Sequence, residues 1–564
     1  MKNRWTVSKE NPKLRDKLSK NLNISAVTAQ ILINRGLENE AEANLFLNST
    51  LFDLPSPYLM KGMETAVNRI TSAIEKKEKI AIYGDYDVDG VTSTALLYTF
   101  LKNLGADVVH YNPDRMKEGY GVNIEAVKKL IGEGVTLIIS GDCGITAVSE
   151  VEEARRLGAD FIVTDHHKPP EELPQALSIL NPQLPDCKYP DKNITGVGVI
   201  FNLTVALRRA LREDGFFKAK EPNLADYLDL VALGTVADCA PLMDVNRIFV
   251  KEGIKRMRSP KRIGVMALKE TSSIEGEVSS YDLGFKLGPR INASGRLSSA
   301  EKAVELFISD DLERAREIAK NLSRENSSRQ SIEGDIIVDA ISRIETDPWF
   351  ESSHSIVIAS PDWHPGVIGI VASRIVERYA KPVILIAIDE NGIGKGSGRS
   401  VPGVNIYRAL SECRELFEQF GGHEQAAGLS IREEKIERFR EMFDKAVSDS
   451  SAAYEPELII DCELDLDNVT EELVTELGLL EPFGIGNPEP VLMSSGVRVV
   501  SQRFYKDKHL GLKLSQGART IDGIWFNTTS SSDLPDTVDL VYTPEFNSWN
   551  GRKQIQLRIL DAHW

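Results

Sequence analysis

The spacing of apolar residues changes in kind along the chain, and each change predicts a different class of element. Over Ile24–Leu47, leucine and isoleucine recur at three or four residues, so residues 1–75 read as helical. From Lys79 the pattern turns to short, almost wholly apolar runs: Ile80–Tyr83, Val108–Tyr111, Leu137–Ser140, Phe161–Thr164 and Ser178–Leu180. Helix-like segments separate most of them, at Thr92–Leu104, Ile124–Glu133 and Val148–Leu157. Such alternation predicts βαβ units around a mostly parallel sheet. Ligand groups of such sheets gather at the carboxyl ends of the strands.

Asn202–Arg212 and Asn223–Gly234 read as further helices. In Ser309–Ile344, Leu312, Ala315, Ala319, Leu322, Ile332, Ile336, Ala340 and Ile344 keep helical spacing behind a Ser-Asp-Asp start. A helix of that length suits a connection between domains. Strands Ser355–Ala359 and Val383–Ile388, with a helix at Val367–Arg378, predict a second α/β unit ending near Asp449. Ser448–Ala453 is small and polar, as a linker would be. Short alternating runs follow at Leu458–Leu464, Val497–Phe504, Leu510–Leu514, Gly523–Phe526, Val538–Pro544 and Lys553–Ile559, which predict a small β-barrel.

Composition narrows the class. A chain of 564 residues suggests about three or four domains. Apolar residues at 42% and charged residues at 27% are ordinary for a soluble globular protein. No apolar run approaches the ~18 residues of a membrane span. The start, Met-Lys-Asn-Arg-Trp, lacks the apolar stretch of a signal peptide. The five cysteines (143, 187, 239, 413 and 462) are odd in number and unpaired in spacing, which predicts a reducing, cytoplasmic setting without disulfides or zinc knuckles. A formal charge of −17 argues against a generic nucleic-acid coat protein. It leaves room for a nuclease, because acidic metal ligands add negative charge and a basic groove can be local.

Four motifs carry candidate chemistry. Gly84-Asp85-Tyr86-Asp87-Val88-Asp89-Gly90 follows a strand, and its alternating carboxylates want a cation. A calcium EF-hand would need a bidentate Glu where Leu96 stands. A solvated acidic turn is the other reading. Asp142 follows the strand Leu137–Ser140, as a metal ligand or as the cap of the next helix. Asp165-His166-His167 follows a third strand, where one imidazole could ligate and the other face a substrate, unless the run is only a polar turn. Asp238 ends the apolar stretch from Val231, either wanting a cation or bonded to backbone N–H groups. A mixed Asp/His set suits Mn²⁺ or Mg²⁺ better than a structural zinc. Two such ions about 3.5–4 Å apart can clamp the attacking and leaving oxygens of a phosphodiester.

These motifs, in this order, resemble the DHH phosphoesterase superfamily. Asp-Tyr-Asp-Val-Asp-Gly, Leu233–Asp238, Gly288-Pro-Arg-Ile-Asn-Ala-Ser-Gly-Arg-Leu297, His364–Arg374 and Gly421–Gly428 together resemble its RecJ family, from about Lys79 to the C-terminus. The resemblance implies a multidomain α/β architecture behind the helical region (1–75) that the periodicity predicts. A DHH parallel-sheet domain (76–308) would be joined by a helix (309–345) to a DHHA1 α/β domain (346–449), then an OB-fold barrel (454–564). It implies a 5′→3′ exonuclease of single-stranded DNA in recombination and repair, using Mn²⁺ or Mg²⁺, with two ions.

Carried over by position, Asp87, Asp89, Asp142, His166 and Asp238 would be metal ligands, with Asp85 an additional acid. Many superfamily members have His where this chain has Tyr83. His167 would face the scissile phosphate and Asp165 would orient the pair, with Asn292 and Arg296 also at that phosphate. Arg115, Ser397 and Arg399 would hold the terminal phosphate, the last two from a Gly-rich turn offering its N–H groups. Arg290, His364, Gly422 and His423 would contact DNA. Phe504, Tyr505, Trp525, Phe526 and Trp549, interleaved with Arg503, Lys506, Lys508, Arg552 and Lys553, suit single-strand stacking in the barrel, with about half of the aromatics expected in its core. Implied partners are a single-strand-binding protein and a RecQ-type helicase, with the chain a monomer and no membrane involved. Two rival functions remain open here: a DHH-type phosphodiesterase of short oligonucleotides or cyclic dinucleotides, and a non-catalytic DNA-binding scaffold.

Overall fold

The computed structural model describes residues 4–113, 118, 121–218, 221–297, 299–450, 457–505, 508–528, 534–549 and 552–564. Arg115 lies outside these residues, as do 451–453 of the expected linker. The backbone divides into two compact units. The larger comprises Trp5–Gly295, Ser299–Lys320 and Leu458–Trp564; the other is built mainly from Asn321–Glu457 and takes in Arg296.

A five-stranded sheet forms the centre of the larger unit. Its order is Asp107–Tyr111, Lys79–Gly84, Val135–Gly141, Asp160–Thr164, Ser178–Leu180, and every pair is parallel. The apolar runs are continuous because helices cover both faces. Strand order reverses between Lys79–Gly84 and Val135–Gly141, the place where open α/β sheets bind ligands. Gly84 is in register with Gly141, so the two strands release Asp85 and Asp142 side by side.

Three helices line this crevice, Val88–Asn103, Gly196–Glu213 and Leu228–Ala237. The first begins four residues ahead of the expected Thr92, capped by Asp87 Oδ1, which accepts from the Gly90 N–H at 3.0 Å. Asp89 therefore sits inside a helix and not in a loop. The expected helix Asn223–Gly234 is a 3-10 turn, Leu224–Tyr227, running into Leu228–Ala237.

The barrel closes as expected. Leu492–Tyr505, His509–Gln516, Arg519–Phe526, Arg552–His563 and Thr537–Trp549 pair in that order, and the last strand pairs back onto the first. The segment that leads into it packs against the N-terminal helices. Ile31, Leu32, Ala43, Phe46 and Leu47 share one apolar cluster with Leu473, Leu477 and Leu480. Beneath it the buried Arg247 donates to three carbonyls, Phe46 O (2.8 Å), Leu480 O (2.9 Å) and Leu479 O (3.1 Å).

In the other unit five strands run in the order Phe417–Gly422, Ala426–Arg432, Ile393–Arg399, Val383–Ile388, Ile356–Ser360. Only the last pair is parallel, linked by the helix Ile368–Tyr379. The long helix spans Leu312–Thr346, close to its expected range. The closing helix runs to Ser450, so the start of the expected linker is helical. Among the described residues no helix is long and apolar enough to cross a membrane.

Candidate metal centre

Strand ends and helix ends bring the acidic motifs to one point. Asp142 leaves its strand with φ +64°, a left-handed turn that Asp tolerates better than most residues and that marks strained functional backbone. The next helix starts at Val148 with Ala147 in the cap position, so capping does not account for Asp142. Asp238 follows the last residue of its helix, Ala237. A carboxylate there faces the negative end of the helix dipole and needs a cation more than a cap would.

His166 Nε2 lies 3.1 Å from Asp142 Oδ1, 3.8 Å from Asp238 Oδ2 and 3.9 Å from Asp89 Oδ2. Three overlapping sets have donor atoms within 4.8 Å of one another: Asp142/His166/His167, Asp89/His166/Asp238 and Asp85/Asp87/Asp142. Asp85 thus joins the cluster directly. Tyr83 does not: its buried phenol donates to Gly121 O at 3.3 Å and accepts from Asn123 N–H at 3.2 Å.

The electrostatics are those of a cation site. Burial and the neighbouring Asp87 push the Asp85 carboxyl up to about 8. Burial, with Asp238 nearby, pushes Asp89 to about 7. Asp238 also reaches about 7 through burial and Asp87. Asp142 is raised by burial and by Asp89. Burial lowers His166 and favours the neutral imidazole that a metal accepts. Asp85 Oδ1, Asp142 Oδ1 and His166 Nε2 are buried with no hydrogen-bond partner among the described residues. Buried polar atoms are ordinarily satisfied. Three such atoms from three motifs, with Asp142 grouped on one side with Asp85 and on the other with His166, fit divalent cations.

Two supports hold the ligands. Asp165 Oδ1 accepts from His166 N–H (2.7 Å), His167 N–H (3.0 Å) and His167 Nδ1 (2.7 Å), while Oδ2 accepts from Ile145 N–H (2.9 Å). Burial alone would raise Asp165, but these donors outweigh it and hold the carboxyl below its usual range. Burial pulls His167 down, yet Asp165 carries it up to about 9. The second support was not visible in sequence. Asp89 Oδ2 and Oδ1 accept from Gly196 N–H (2.7 Å) and Val197 N–H (2.8 Å), the first turn of Gly196–Glu213. Gly196 packs directly on Asp142, since a methyl group there would lie 2.5 Å from Asp142 Cβ and 2.8 Å from its Cα. The only sequence signal was the Thr-Gly-Val-Gly string at 195–198, silent about its partner.

Beside the cluster runs the helix Gly288–Leu297, which carries Arg290, Asn292 and Arg296. A methyl at Gly295 would lie 2.6 Å from Tyr86 O, so this helix abuts the acidic turn. Asn292 is half-buried, and Arg290 Nη1 donates to Lys286 O at 2.5 Å.

In the other unit, Arg296 Nη1 donates to Gly366 O at 3.2 Å and His364 Nδ1 accepts from Gly366 N–H at 3.1 Å. Ser397 and Arg399 point toward the start of the helix Ile368–Tyr379. A methyl at Gly369 would sit 2.8 Å from Ser397 Oγ and 3.3 Å from Arg399 Nη2. The expected Gly-rich turn with free N–H groups at 394–400 is corrected: Ile393–Arg399 is an inner strand whose ladder pairs it with a neighbour on each side. Only side chains remain there for an anion. Gly422 and His423 form an exposed hairpin end, and Gly422 pairs with Ala427, which pairs with Gly398. They lie two strands from Arg399.

Comparison with known proteins accounts for all three folds. Residues 79–235 match the DHH family N-terminal domain, 353–449 the DHHA1 domain and 460–561 the RecJ OB domain. The single-stranded-DNA-specific exonuclease RecJ of Bacillus subtilis is 38% identical, over 100% of this chain and 71% of its own length. The Escherichia coli protein of the same name is 38% identical over 90% of each chain. The crystal structure of RecJ with Mn²⁺ from Thermus thermophilus superposes with a TM-score of 0.86 at 31% identity, covering 100% of this chain and 79% of that one. A second from the same organism, with Mg²⁺, gives 0.80 at 30% identity, covering 100% and 78%.

Proposed function

The chain belongs to the RecJ family, and we propose that it degrades single-stranded DNA from the 5′ end by metal-dependent hydrolysis of phosphodiester bonds. The observation that carries this reading is a set of overlapping donor groups joined through Asp142, in which Asp85 Oδ1, Asp142 Oδ1 and His166 Nε2 are buried and make no hydrogen bond among the described residues.

Asp87, Asp89, Asp142, His166 and Asp238 would hold two divalent ions, Mn²⁺ or Mg²⁺, with Asp85 alongside. Bound there, such ions lower the pKa of water and offset charge on the phosphate. The remaining work falls to the chain. Asp165 accepts from His167 Nδ1 and raises the imidazole, so that a positively charged ring faces the scissile phosphate. Arg296 and Asn292 add donors for the scissile phosphate. Ser397 and Arg399, with Arg115, bind the 5′-terminal phosphate; a guanidinium fork and a hydroxyl suit three acceptor oxygens. His364, Arg290, Gly422 and His423 bind the DNA backbone. The enzyme would act as a monomer in the cytoplasm, in repair and recombination, alongside a single-strand-binding protein and a RecQ-type helicase.

Digestion of 5′-labelled against 3′-labelled single strands in Mn²⁺ and in chelator tests polarity and metal together. The 5′ label is expected first, and only with metal; early release of the 3′ label refutes the polarity. Asp142→Ala should abolish cleavage with the fold intact, and undiminished hydrolysis refutes the metal assignment.

A further inference from the structure

Outside the metal cluster, two large rings stand in solvent where a buried or absent side chain would be cheaper. Tyr281 is 60% and Phe285 70% exposed, and they stack on each other with centroids 4.8 Å apart and planes at 24°. Scattered single apolar residues on a surface need no explanation. This pair differs in three respects.

Phe285 lies in a π-helix, Asp282–Leu287, a rare form frequent at functional sites, and Tyr281 precedes it as the cap residue. The wide turn continues directly into Gly288–Leu297, the helix of Arg290 and Asn292. The segment that carries the pair also packs, on its glycine face, against the helix that ends beside Asp238. A methyl at Gly284 would sit 3.4 Å from Val236 Cγ1, and one at Gly288 would sit 3.2 Å from Ala237 Cβ. Val236 and Ala237 immediately precede Asp238. Finally, basic residues follow the rings along the same segment. Lys286, anchored by Asp282 at 2.7 Å, follows Phe285, and Arg290 lies one turn beyond. In a chain of net charge −17, paired aromatics beside Lys and Arg match a polyanion with flat bases.

We infer that Tyr281 and Phe285 form a stacking platform for nucleobases of the single strand whose phosphodiester lies at the metal cluster. The inference rests on the exonuclease reading and deepens it. Phosphate contacts alone would not distinguish a strand with bases from one without. A stacking platform does so without preferring any base, because every base has a π face. It acts on substrate binding and positioning, and takes no part in proton or phosphoryl transfer.

The test uses the full chain, as parent, as the Tyr281→Ala/Phe285→Ala double variant and as the conservative Tyr281→Phe/Phe285→Tyr double variant. Binding of labelled oligothymidylate, and of the same strand carrying abasic residues, is measured by anisotropy in chelator, and cleavage of both in Mn²⁺. The parent should prefer the strand with bases. The alanine variant should bind it about tenfold more weakly, as expected when a base loses its aromatic partner, and should show the loss in KM with kcat retained. Its preference over the abasic strand should shrink, and the conservative variant should keep it. An alanine variant with parental affinity and parental preference overturns the inference while leaving the exonuclease reading intact. A parent that neither binds nor cuts single strands overturns both.

Discussion

Gly196→Ala tests whether the helix that caps Asp89 also sets the position of Asp142. The added methyl would lie 2.5 Å from Asp142 Cβ and 2.8 Å from Asp142 Cα. Carbon atoms pack at about 3.5–4.0 Å, so roughly 1 Å of movement is required. Asp142 cannot swing its side chain away, because the contact reaches its backbone. Either the Asp142 turn retreats, or the helix start retreats and takes the two N–H donors from Asp89. Both routes separate ligands from His166. A displacement near 1 Å in a reacting constellation costs on the order of 100-fold in rate. Overpacking adds about 1–3 kcal/mol of instability, and the chain should remain folded. The assay is Mn²⁺-dependent hydrolysis of a single strand across a metal titration, with circular dichroism to confirm the fold. The expected result is a fall of about 100-fold and a shifted metal midpoint. A folded variant with both values within about twofold of the parent would refute the reasoning.

Asp165→Asn keeps the shape but turns one acceptor oxygen into a donor, facing either the Ile145 N–H or the His pair; activity or metal affinity should fall about 10–100-fold, read from the same titration. The raised carboxyls give a pH signature in metal-free protein. Their folded pKa values, about 7 to 8, lie above the unfolded value, so their contribution is fully present below the unfolded pKa and is lost as pH rises through the folded one. Melting temperature in chelator should fall across that window as the charges accumulate, and Mn²⁺ should restore it; a metal-free melting curve that rises from pH 6 to 8 would contradict the assignment. Asp85→Asn should stabilise metal-free protein at pH 8 and weaken metal binding, opposite signs that calorimetry with and without Mn²⁺ would separate.

The strand ends were legible because a short apolar run that stops at a carboxylate is a local pattern, as at Ile80–Tyr83 before Asp85 and at Phe161–Thr164 before Asp165. The helix start at Val88 was not. Asp87-Val-Asp-Gly reads as loop chemistry, and the helix it opens is buried on all sides, so it has no polar face for periodicity to reveal. Leu228–Ala237 was blurred for the same reason. Asp89 and Gly196 meet across 107 residues, a tertiary contact that no spacing rule reaches. At Ser397 and Arg399 the glycines suggested a turn. They serve instead to bring neighbouring side chains close to a strand, where a methyl at Gly398 would lie 2.5 Å from Ile384 Cδ1.

Arg247 gives the barrel a particular kind of dependence. Its guanidinium has traded water for carbonyls contributed by an N-terminal helix and by the segment leading into the barrel. A chain shortened before Leu479 would take away two of the three carbonyls that hold this cation, and would bare Ile31, Leu32 and Phe46 as well. Modular exchange of the barrel among relatives is therefore constrained from inside the phosphoesterase core: any replacement must bring two backbone oxygens to the same guanidinium.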